Sequence, residues 1–305
     1  MCKPASQPPL PKSWSTAAAK LWNRPLVLLM LLTAGCTPAD PLNILTWRGD
    51  WDVTSSIPYA NGPRHALDVY APRRAANAPV IVFFYGGNWQ YGHKEMYRFV
   101  AAALAARGYV TIVPDYRVYP DVFPAFLEDG ALAVAWARQN AARFGGNPAK
   151  LVLMGHSAGA HIASMLTLDG RWLRTVGLDT RKDIAGLIGI AGPYDFLPLR
   201  DPTLQAIFAA GDLTQTQPIS FVSGGEPPAL LVTGRTDKTV SPGNTARLAA
   251  RLRATGNDVT EIVYPRVGHL SIVGALAPVL RFLAPLLRDI DFFVGRVSTP
   301  TNAGH

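Results

Sequence analysis

Short runs of β-branched and aromatic residues alternate with longer amphipathic stretches through most of this chain. The apolar runs predict strands at residues 65–70, 80–85, 109–114, 151–154, 184–190, 229–233 and 259–264. The spacing of apolar residues between them predicts helices at residues 126–144, 158–167, 244–254 and 271–287. Because strands that alternate with helices are typical of βαβ units, the pattern predicts an α/β protein. We expect a mostly parallel central sheet flanked by helices.

One predicted connection, residues 191–227, is too long for a simple loop between a strand and a helix. It is rich in Pro, Gly and aromatic residues, and we expect it to form a cap-like insert after the sixth strand. Such inserts usually serve a site. Tyr194 and Phe196 in this insert, together with Trp89 earlier in the chain, are therefore predicted to contact a substrate.

The first 36 residues have the organisation of an export signal. Basic residues up to Arg24 precede an apolar run that ends at Cys36, and this run is shorter than the roughly 20 residues that cross a bilayer. Ala34-Gly35-Cys36 resembles the bacterial lipobox, in which the cysteine is lipidated, although Thr33 stands where Leu is usual. We expect residues 1–35 to be a lipoprotein signal peptide and Cys36 to be lipidated. An ordinary secretory signal or an uncleaved anchor is the alternative.

This N-terminus predicts an exported bacterial lipoprotein that binds the membrane through Cys36. Thr37, rather than Asp, follows the cysteine, which by resemblance to lipoprotein sorting favours the outer membrane. The predicted domain boundaries are a tether at residues 36–60, a catalytic domain at 61–290 and a C-terminal tail at 291–305.

The formal net charge of +8 raises the question of a nucleic-acid partner. Residues 1–35 carry four basic side chains and no acidic one, so their removal would lower the charge to +4. We therefore predict no nucleic-acid partner. Because Cys2 and Cys36 are the two cysteines of the sequence, the folded body has neither a disulfide framework nor a thiolate metal site. We predict no metal and no other cofactor.

A predicted strand runs directly into the sequence Gly155-His156-Ser157-Ala158-Gly159 and then into a helix of small residues. A Gly-x-Ser-x-Gly turn needs this context to present a serine nucleophile on a strained corner between strand and helix. The two glycines leave room for neighbouring backbone to approach closely. Ser157 is therefore the predicted nucleophile, and an ordinary turn serine is the alternative.

A serine nucleophile of this kind requires donors for a developing oxyanion. The strand at 80–85 opens into Gly86-Gly87-Asn88-Trp89, where adjacent glycines let backbone N–H groups turn toward a bound carbonyl. We predict an oxyanion hole formed by the N–H groups of Gly86, Gly87 and Ala158. A plain Gly-Gly β-turn is the alternative interpretation.

His269 is the predicted general base, because it follows the strand at 259–264 and because the order of a triad in such folds places acid and base after the serine. The other histidines lie before the serine, beside it, one turn into the next helix or in the tail: His65, His93, His156, His161 and His305. Asp237, in the loop after the strand at 229–233, is the predicted acid. Asp258 is the alternative acid, although it lies at the wrong end of a strand.

Several of these motifs together resemble one group of enzymes. Tyr85-Gly86-Gly87-Asn88-Trp89 resembles the His-Gly-Gly-x-Trp motif of lipases and esterases related to hormone-sensitive lipase and kynurenine formamidase. In combination with residues 155–161 it also resembles prenylcysteine methylesterases, and the likeness extends over residues 65–287. The resemblance implies the α/β-hydrolase fold. The chain departs from the motif at Tyr85, where the resembled lipases have a His that braces the oxyanion loop.

The sequence therefore predicts a serine carboxylesterase. We expect it to hydrolyse small or medium carboxylic esters through an acyl-enzyme intermediate. An arylformamidase, similar to kynurenine formamidase, would use the same triad and is the main alternative. A catalytically inactive binding protein on the cell surface is a second alternative, which intact Ser157, Asp237 and His269 disfavour.

Overall fold

An eight-stranded sheet organises this chain in a computed structural model that describes residues 42–43, 49–209 and 211–299. The strand order is β1-β2-β4-β3-β5-β6-β7-β8. The strands are β1 (Trp51–Pro58), β2 (Ala66–Pro72), β3 (Ala78–Phe84), β4 (Val110–Pro114), β5 (Gly146–His156), β6 (Gly186–Ile190), β7 (Ala229–Gly234) and β8 (Val259–Tyr264). Strands β3 to β8 run parallel, whereas β1 and β2 are antiparallel to their neighbours. The predicted, mostly parallel sheet is confirmed.

Helices follow most of the parallel strands. They are α1 (Arg98–Ala105), α2 (Ala125–Asn140), α3 (Ala158–Leu168), α4 (Arg171–Arg174), α5 (Thr180–Asp183), α6 (Pro202–Ile207), α7 (Gly243–Ala254), α8 (His269–Gly274) and α9 (Leu286–Ser298). Five 3₁₀ helices lie in the described part of the chain: Lys94–Tyr97, Ala141–Phe144, Leu213–Thr216, Pro218–Phe221 and Pro278–Leu283. No described helix is both long enough and apolar enough to span a membrane.

The central strands are buried on both faces. Every residue of β4, β6 and β7 is buried, so side chains pointing to either side of the sheet are removed from water. Parallel strands covered on both faces need such continuous apolar runs, which Val, Ile, Leu and Phe supply here. Burial of this kind holds the strands rigidly. The loops at their carboxyl ends, which meet along one edge of the sheet, are therefore well placed to carry a site.

The prediction of one continuous helix at residues 271–287 is wrong. The structure instead has the short helix α8, the 3₁₀ helix Pro278–Leu283 and the separate helix α9. Pro278 and Pro285 explain the breaks, because proline lacks the N–H that would continue a helix. Helix α9 then buries Ile290, Phe293 and Val294 and continues through Ser298, within the stretch that the sequence assigned to a tail.

Strand β1 lies within residues 36–60, the stretch predicted to be a tether. Most of its side chains are exposed, so the alternation of buried and exposed residues that signals a strand is missing. It is held at the edge of the sheet by antiparallel pairing with β2. The predicted signal peptide at residues 1–35 and the predicted lipidation site Cys36 lie outside the described residues.

The connection after β6 forms an insert, as the sequence predicts. Its described residues contain helix α6 and two 3₁₀ helices, Leu213–Thr216 and Pro218–Phe221. His161 of α3 binds this insert through its Nε2 atom, which lies 2.8 Å from the carbonyl oxygen of Thr216. The insert is therefore attached to the helix that follows Ser157.

Candidate active site

Ser157 occupies the sharp turn between β5 and α3. Its backbone has φ 55° and ψ −123°, a conformation that a residue with a side chain rarely adopts. The turn is held by the Ser157 N–H, which donates to the carbonyl of Ile190 at 2.9 Å. This strained corner lifts the hydroxyl out of the sheet and into a cavity.

The glycines on each side of Ser157 are required by close packing. A Cβ atom on Gly155 would lie 2.1 Å from the carbonyl oxygen of Gly159. A Cβ atom on Gly159 would lie 2.0 Å from the carbonyl oxygen of Phe84, at the end of β3. Both distances are far below a van der Waals contact, so the Gly-x-Ser-x-Gly spacing reflects three pieces of backbone that meet beneath the serine.

The structure brings Ser157, His269 and Asp237 together in one hydrogen-bonded chain. The Nε2 atom of His269 lies 2.8 Å from the Ser157 Oγ atom, and its Nδ1 atom lies 2.8 Å from Asp237 Oδ2. His269 is the first residue of α8, and Asp237 follows β7. These residues come from three loops that are far apart in the sequence, and their geometry is that of a nucleophile, a base and an acid that orients the base.

Asp237 is held as an anion. Burial raises the pKa of its carboxyl, but hydrogen bonds from His269 and from the backbone N–H groups of Val240 and Thr239 outweigh burial and lower the pKa overall. Those N–H groups lie 2.9 and 2.8 Å from Oδ1. They leave Oδ2 to accept from His269, which fixes both the tautomer and the orientation of the imidazole.

The alternative acid, Asp258, lies elsewhere. Its carboxylate forms an ion pair with Arg296 on α9, and Asp258 precedes β8 whereas His269 follows that strand. Glu128 and Asp129 hold Arg117, with carboxylate oxygens 3.0 and 2.7 Å from its Nη2 atom. Neither group approaches His269 closely enough for a hydrogen bond.

The predicted oxyanion donors all line the cavity beside Ser157. Within the described residues, the N–H groups of Gly87 and Ala158 donate to no protein acceptor, so they are free to donate to an oxygen atom of a ligand. The N–H group of Gly86 is turned toward the hydroxyl of Tyr97. Asn88, which the sequence analysis did not select, also lines the cavity with an N–H that has no acceptor in this part of the chain.

Trp89 and Phe196 line the same cavity, with their ring centroids 5.8 Å apart. The prediction for Tyr194 is wrong, because its side chain is fully buried behind the cavity. Its hydroxyl would lie 2.1 Å from a Cβ atom on Gly189, which shows that the ring is tucked against β6. The amide of Asn244 accepts from the Tyr194 N–H at 2.9 Å and keeps this segment turned inward.

His156 is a contact that the sequence analysis missed. Its Nε2–H group donates to the carbonyl oxygen of His269 at 3.0 Å, so it holds the backbone of the predicted base. Burial, together with the nearby His269, lowers the pKa of His156 to about 3, which keeps the ring neutral. Its place directly before Ser157 excluded it as a base, but the same place lets it reach across to α8.

The cavity has a volume of about 650 Å³ and is mostly apolar. Leu199 and Leu204 of the insert, and Leu270 and Val273 of α8, form much of its wall. Arg200 of the insert is the ionised side chain at its rim. In the part of the chain that the structure describes, no cluster of His, Cys, Asp or Glu is arranged to hold a metal ion.

The parallel sheet, the strained serine after β5 and the acid and base after β7 and β8 define an α/β-hydrolase. Within this superfamily the chain belongs to the BD-FAE family, whose sequence pattern matches residues 67–252.

Several curated proteins are similar to this chain in sequence. The chain is 28% identical to the esterase LipC of Mycobacterium tuberculosis, over 71% of this chain and 57% of that protein. It is 34% identical to a probable isoprenylcysteine alpha-carbonyl methylesterase of Oryza sativa, over 49% and 36% of the two chains. It is 31% identical to kynurenine formamidase of Salmo salar, over 50% of each. The chain therefore spans between about a third and somewhat over half of these curated relatives.

Among solved structures, a truncated carbohydrate esterase from gut microbiota superposes with a TM-score of 0.71. That likeness covers 82% of this chain and 97% of the other, at 21% identity. At this identity the similarity establishes the fold alone.

Proposed function

We propose that this protein is a serine carboxylesterase with Ser157 as nucleophile, His269 as general base and Asp237 as the orienting acid. The observation that carries the proposal is the continuous hydrogen-bonded chain from Ser157 Oγ through His269 to Asp237, with both links at 2.8 Å. Ser157 and His269 line a cavity that is large enough for a small or medium ester.

In the first half of the reaction, Ser157 Oγ attacks the ester carbonyl carbon and its proton passes to His269 Nε2. The carbonyl oxygen becomes an oxyanion, which the free N–H groups of Gly87 and Ala158 stabilise. His269 then gives the proton to the leaving alcohol as the C–O bond breaks, and the acyl group remains on Ser157. Asp237 stabilises the imidazolium throughout.

In the second half, water replaces the alcohol. His269 takes a proton from the water as the water oxygen attacks the acyl carbon. The same N–H groups donate to the second oxyanion. Collapse of this intermediate releases the carboxylic acid and returns the proton to Ser157 Oγ. Both halves of the reaction therefore need only the triad, the backbone donors, the substrate and one water molecule.

A formamide substrate is the second candidate, and the similarity to kynurenine formamidase of Salmo salar is the observation that favours it. The triad serves esters and activated amides alike, so the pocket decides between them. The esterase relatives support an ester substrate, and the apolar wall of the cavity supports an apolar acyl group.

Turnover of a substrate panel separates these functions. The panel contains p-nitrophenyl esters from acetate to laurate, together with N-formylkynurenine. We expect kcat/KM to be highest for an ester of short or medium acyl chain. Faster turnover of N-formylkynurenine than of every ester would establish the formamidase, and a folded protein that turns over neither kind of substrate would contradict both activities.

We also propose that the protein is an exported lipoprotein, cleaved before Cys36 and anchored by lipids on that residue. The basic N-terminus, the short apolar run and Ala34-Gly35-Cys36 support this proposal. A membrane anchor of this kind would present the hydrolase outside the cytoplasm, where it would meet esters taken up from the surroundings.

A further inference from the structure

The loop that carries the predicted oxyanion donors has an unusual backbone. Gly87 and Gly92 have φ values of 149° and 106°, and between them Asn88 and Trp89 also have positive φ values, 55° and 58°. Residues with a side chain adopt this region at an energetic cost, which surrounding contacts must offset. The loop spanning residues 86–92 therefore needs support from the residues beneath it.

Tyr85, directly before this loop, supplies one such support. Its ring is fully buried, and its hydroxyl donates to Asp115 Oδ1 at 2.8 Å. Burial, with Tyr116 and Asp115 nearby, holds the pKa of the Tyr85 phenol well above its usual range, so it remains a donor. The backbone N–H of Lys94 donates to the same Asp115 oxygen at 2.8 Å, which joins the chain before the loop to the chain after it.

Arg64 ties the two ends of the loop together. Its Nη2 atom donates both to the Tyr85 hydroxyl, at 2.9 Å, and to the carbonyl of Gly92, at 2.6 Å. Its Nε atom donates to the carbonyl of Tyr116 at 2.7 Å. Because one guanidinium binds both ends, a shift of either end would break a charge-assisted hydrogen bond.

The carbonyl of Tyr85 is also held. It accepts from the Tyr116 hydroxyl at 2.6 Å, and the two rings stack with centroids 4.6 Å apart. The peptide that joins Tyr85 to Gly86 is therefore restrained from its carbonyl side. That restraint extends to the N–H groups that follow it along the loop.

We propose that Tyr85 and Arg64 are positioning residues for the oxyanion hole, which they serve by fixing both ends of loop 86–92. The proposal rests on the proposed esterase function. Tyr85 stands where the resembled lipases have a His that braces the oxyanion loop. The contacts give that task to the Tyr85 phenol, which acts through Arg64 and Asp115 and does not line the cavity.

The variant Tyr85→Phe tests the proposal, because it removes one oxygen and keeps the ring. Tyr264→Phe is the matched control: its hydroxyl donates to a carboxylate in the same way, 2.7 Å from Asp289 Oδ2, but lies away from the cavity. The measurements are kcat and KM for one p-nitrophenyl ester, the affinity for a trifluoromethyl ketone that forms a tetrahedral adduct, and the thermal midpoint of unfolding.

Displaced donors weaken only the tetrahedral states, so we expect Tyr85→Phe to lower kcat about tenfold or more with KM nearly unchanged. Affinity for the trifluoromethyl ketone should fall by a similar factor. Tyr264→Phe should change none of these kinetic values by more than about twofold, although both variants lose a hydrogen bond and some stability. Kinetics of Tyr85→Phe that match those of Tyr264→Phe would overturn the proposal, as would a change confined to KM.

Arg64→Lys is the second variant, which decides the matter if Tyr85→Phe does not fold. Lysine keeps the charge, but its single nitrogen cannot replace both Nη2, which binds the two ends of the loop, and Nε, which binds the Tyr116 carbonyl, so the same selective loss of kcat is expected. Unchanged kcat in folded Arg64→Lys would overturn the positioning role. A wild-type protein without ester turnover would instead overturn the proposed function itself, and the two failures are therefore distinguishable.

Discussion

At the scale of single residues, the site depends on backbone conformations that most residues avoid. Ser157, Asn88 and Trp89 all have φ values between 55° and 58°. Each such residue costs on the order of 1–3 kcal/mol, which the rigid sheet around the site must offset. The strain at Ser157 could be predicted from sequence, because flanking glycines are its signature. The strain at Asn88 and Trp89 could not, because no residue pattern marks them.

The assignment of the acid is tested by exchanging one carboxylate for an amide. Asp237→Asn should lower kcat by up to about ten-thousandfold with little change in KM, because the amide cannot hold the imidazole in the required tautomer. Steady-state kinetics on a p-nitrophenyl ester measure this. Asp258→Asn is the matched control, since it removes the same charge at a carboxylate that pairs with Arg296.

We expect Asp258→Asn to leave kcat within about threefold of wild type, because an exposed ion pair contributes little even to stability. A larger loss of kcat in Asp258→Asn than in Asp237→Asn, with both proteins folded by circular dichroism, would show that the acid is assigned wrongly.

At the scale of elements, sequence patterns located the buried strands well and the edges of the fold poorly. The predicted strand at 229–233 lies within β7, because a buried parallel strand leaves a largely continuous apolar run. Strand β1 was missed because its side chains are mostly exposed. The helix predicted at 271–287 failed because its apolar spacing continued across two prolines. Tyr194 was assigned to the pocket because composition shows that the insert is aromatic. Composition does not show which ring lines the pocket and which ring packs in the core.

The attachment of the insert to α3 makes stability depend on pH. Burial lowers the pKa of His161 to about 4, and its ring lies among Trp89, Phe126, Phe196 and Phe208, where no charged side chain of the described residues shifts its pKa. Between about pH 6.5 and pH 4 the unfolded chain binds a proton at His161 that the folded chain does not. The stability is therefore fully present above pH 6.5 and falls as the pH drops through this window.

This loss is expected to lower the thermal midpoint by several degrees, as each pH unit in the window costs about 1.4 kcal/mol per histidine. His156 contributes in the same direction. His161→Gln keeps a donor for Thr216 but cannot titrate, so its midpoint should depend less steeply on pH than that of wild type. His93→Gln, at an exposed position, is the control. Identical slopes for His161→Gln and wild type would refute this interpretation.

At the scale of the whole molecule, the proposed lipid anchor at Cys36 would decide where the hydrolase works. If Cys36 is lipidated, Cys36→Ser should move the protein out of the membrane fraction, either as a soluble form or as an uncleaved precursor. Metabolic labelling with an alkyne fatty acid, followed by fractionation, measures both effects. Cys2→Ser is the matched control, and we expect it to keep both the label and the membrane fraction. Equal labelling of wild type and Cys36→Ser would contradict the lipoprotein proposal.

The sequence placed Ser157, Asp237 and His269 in one predicted triad because each lies shortly after a strand that its pattern predicts. It could not supply the contacts that hold these residues, such as His156 on the backbone of His269 or Arg64 across loop 86–92. Those contacts join residues more than 25 positions apart, and only the folded chain brings them together.

The most direct test of the account is whether Ser157 is the reactive nucleophile. Wild type, Ser157→Ala and the matched control Ser164→Ala, which alters a buried serine on α3, would each be treated with a fluorophosphonate. Intact-mass spectrometry and peptide mapping then locate the adduct. The account predicts one phosphonyl group on Ser157 in wild type and in Ser164→Ala, and none in folded Ser157→Ala, whose ester turnover is also lost. An adduct on another residue, or more than about a tenth of wild-type turnover in Ser157→Ala, would contradict it.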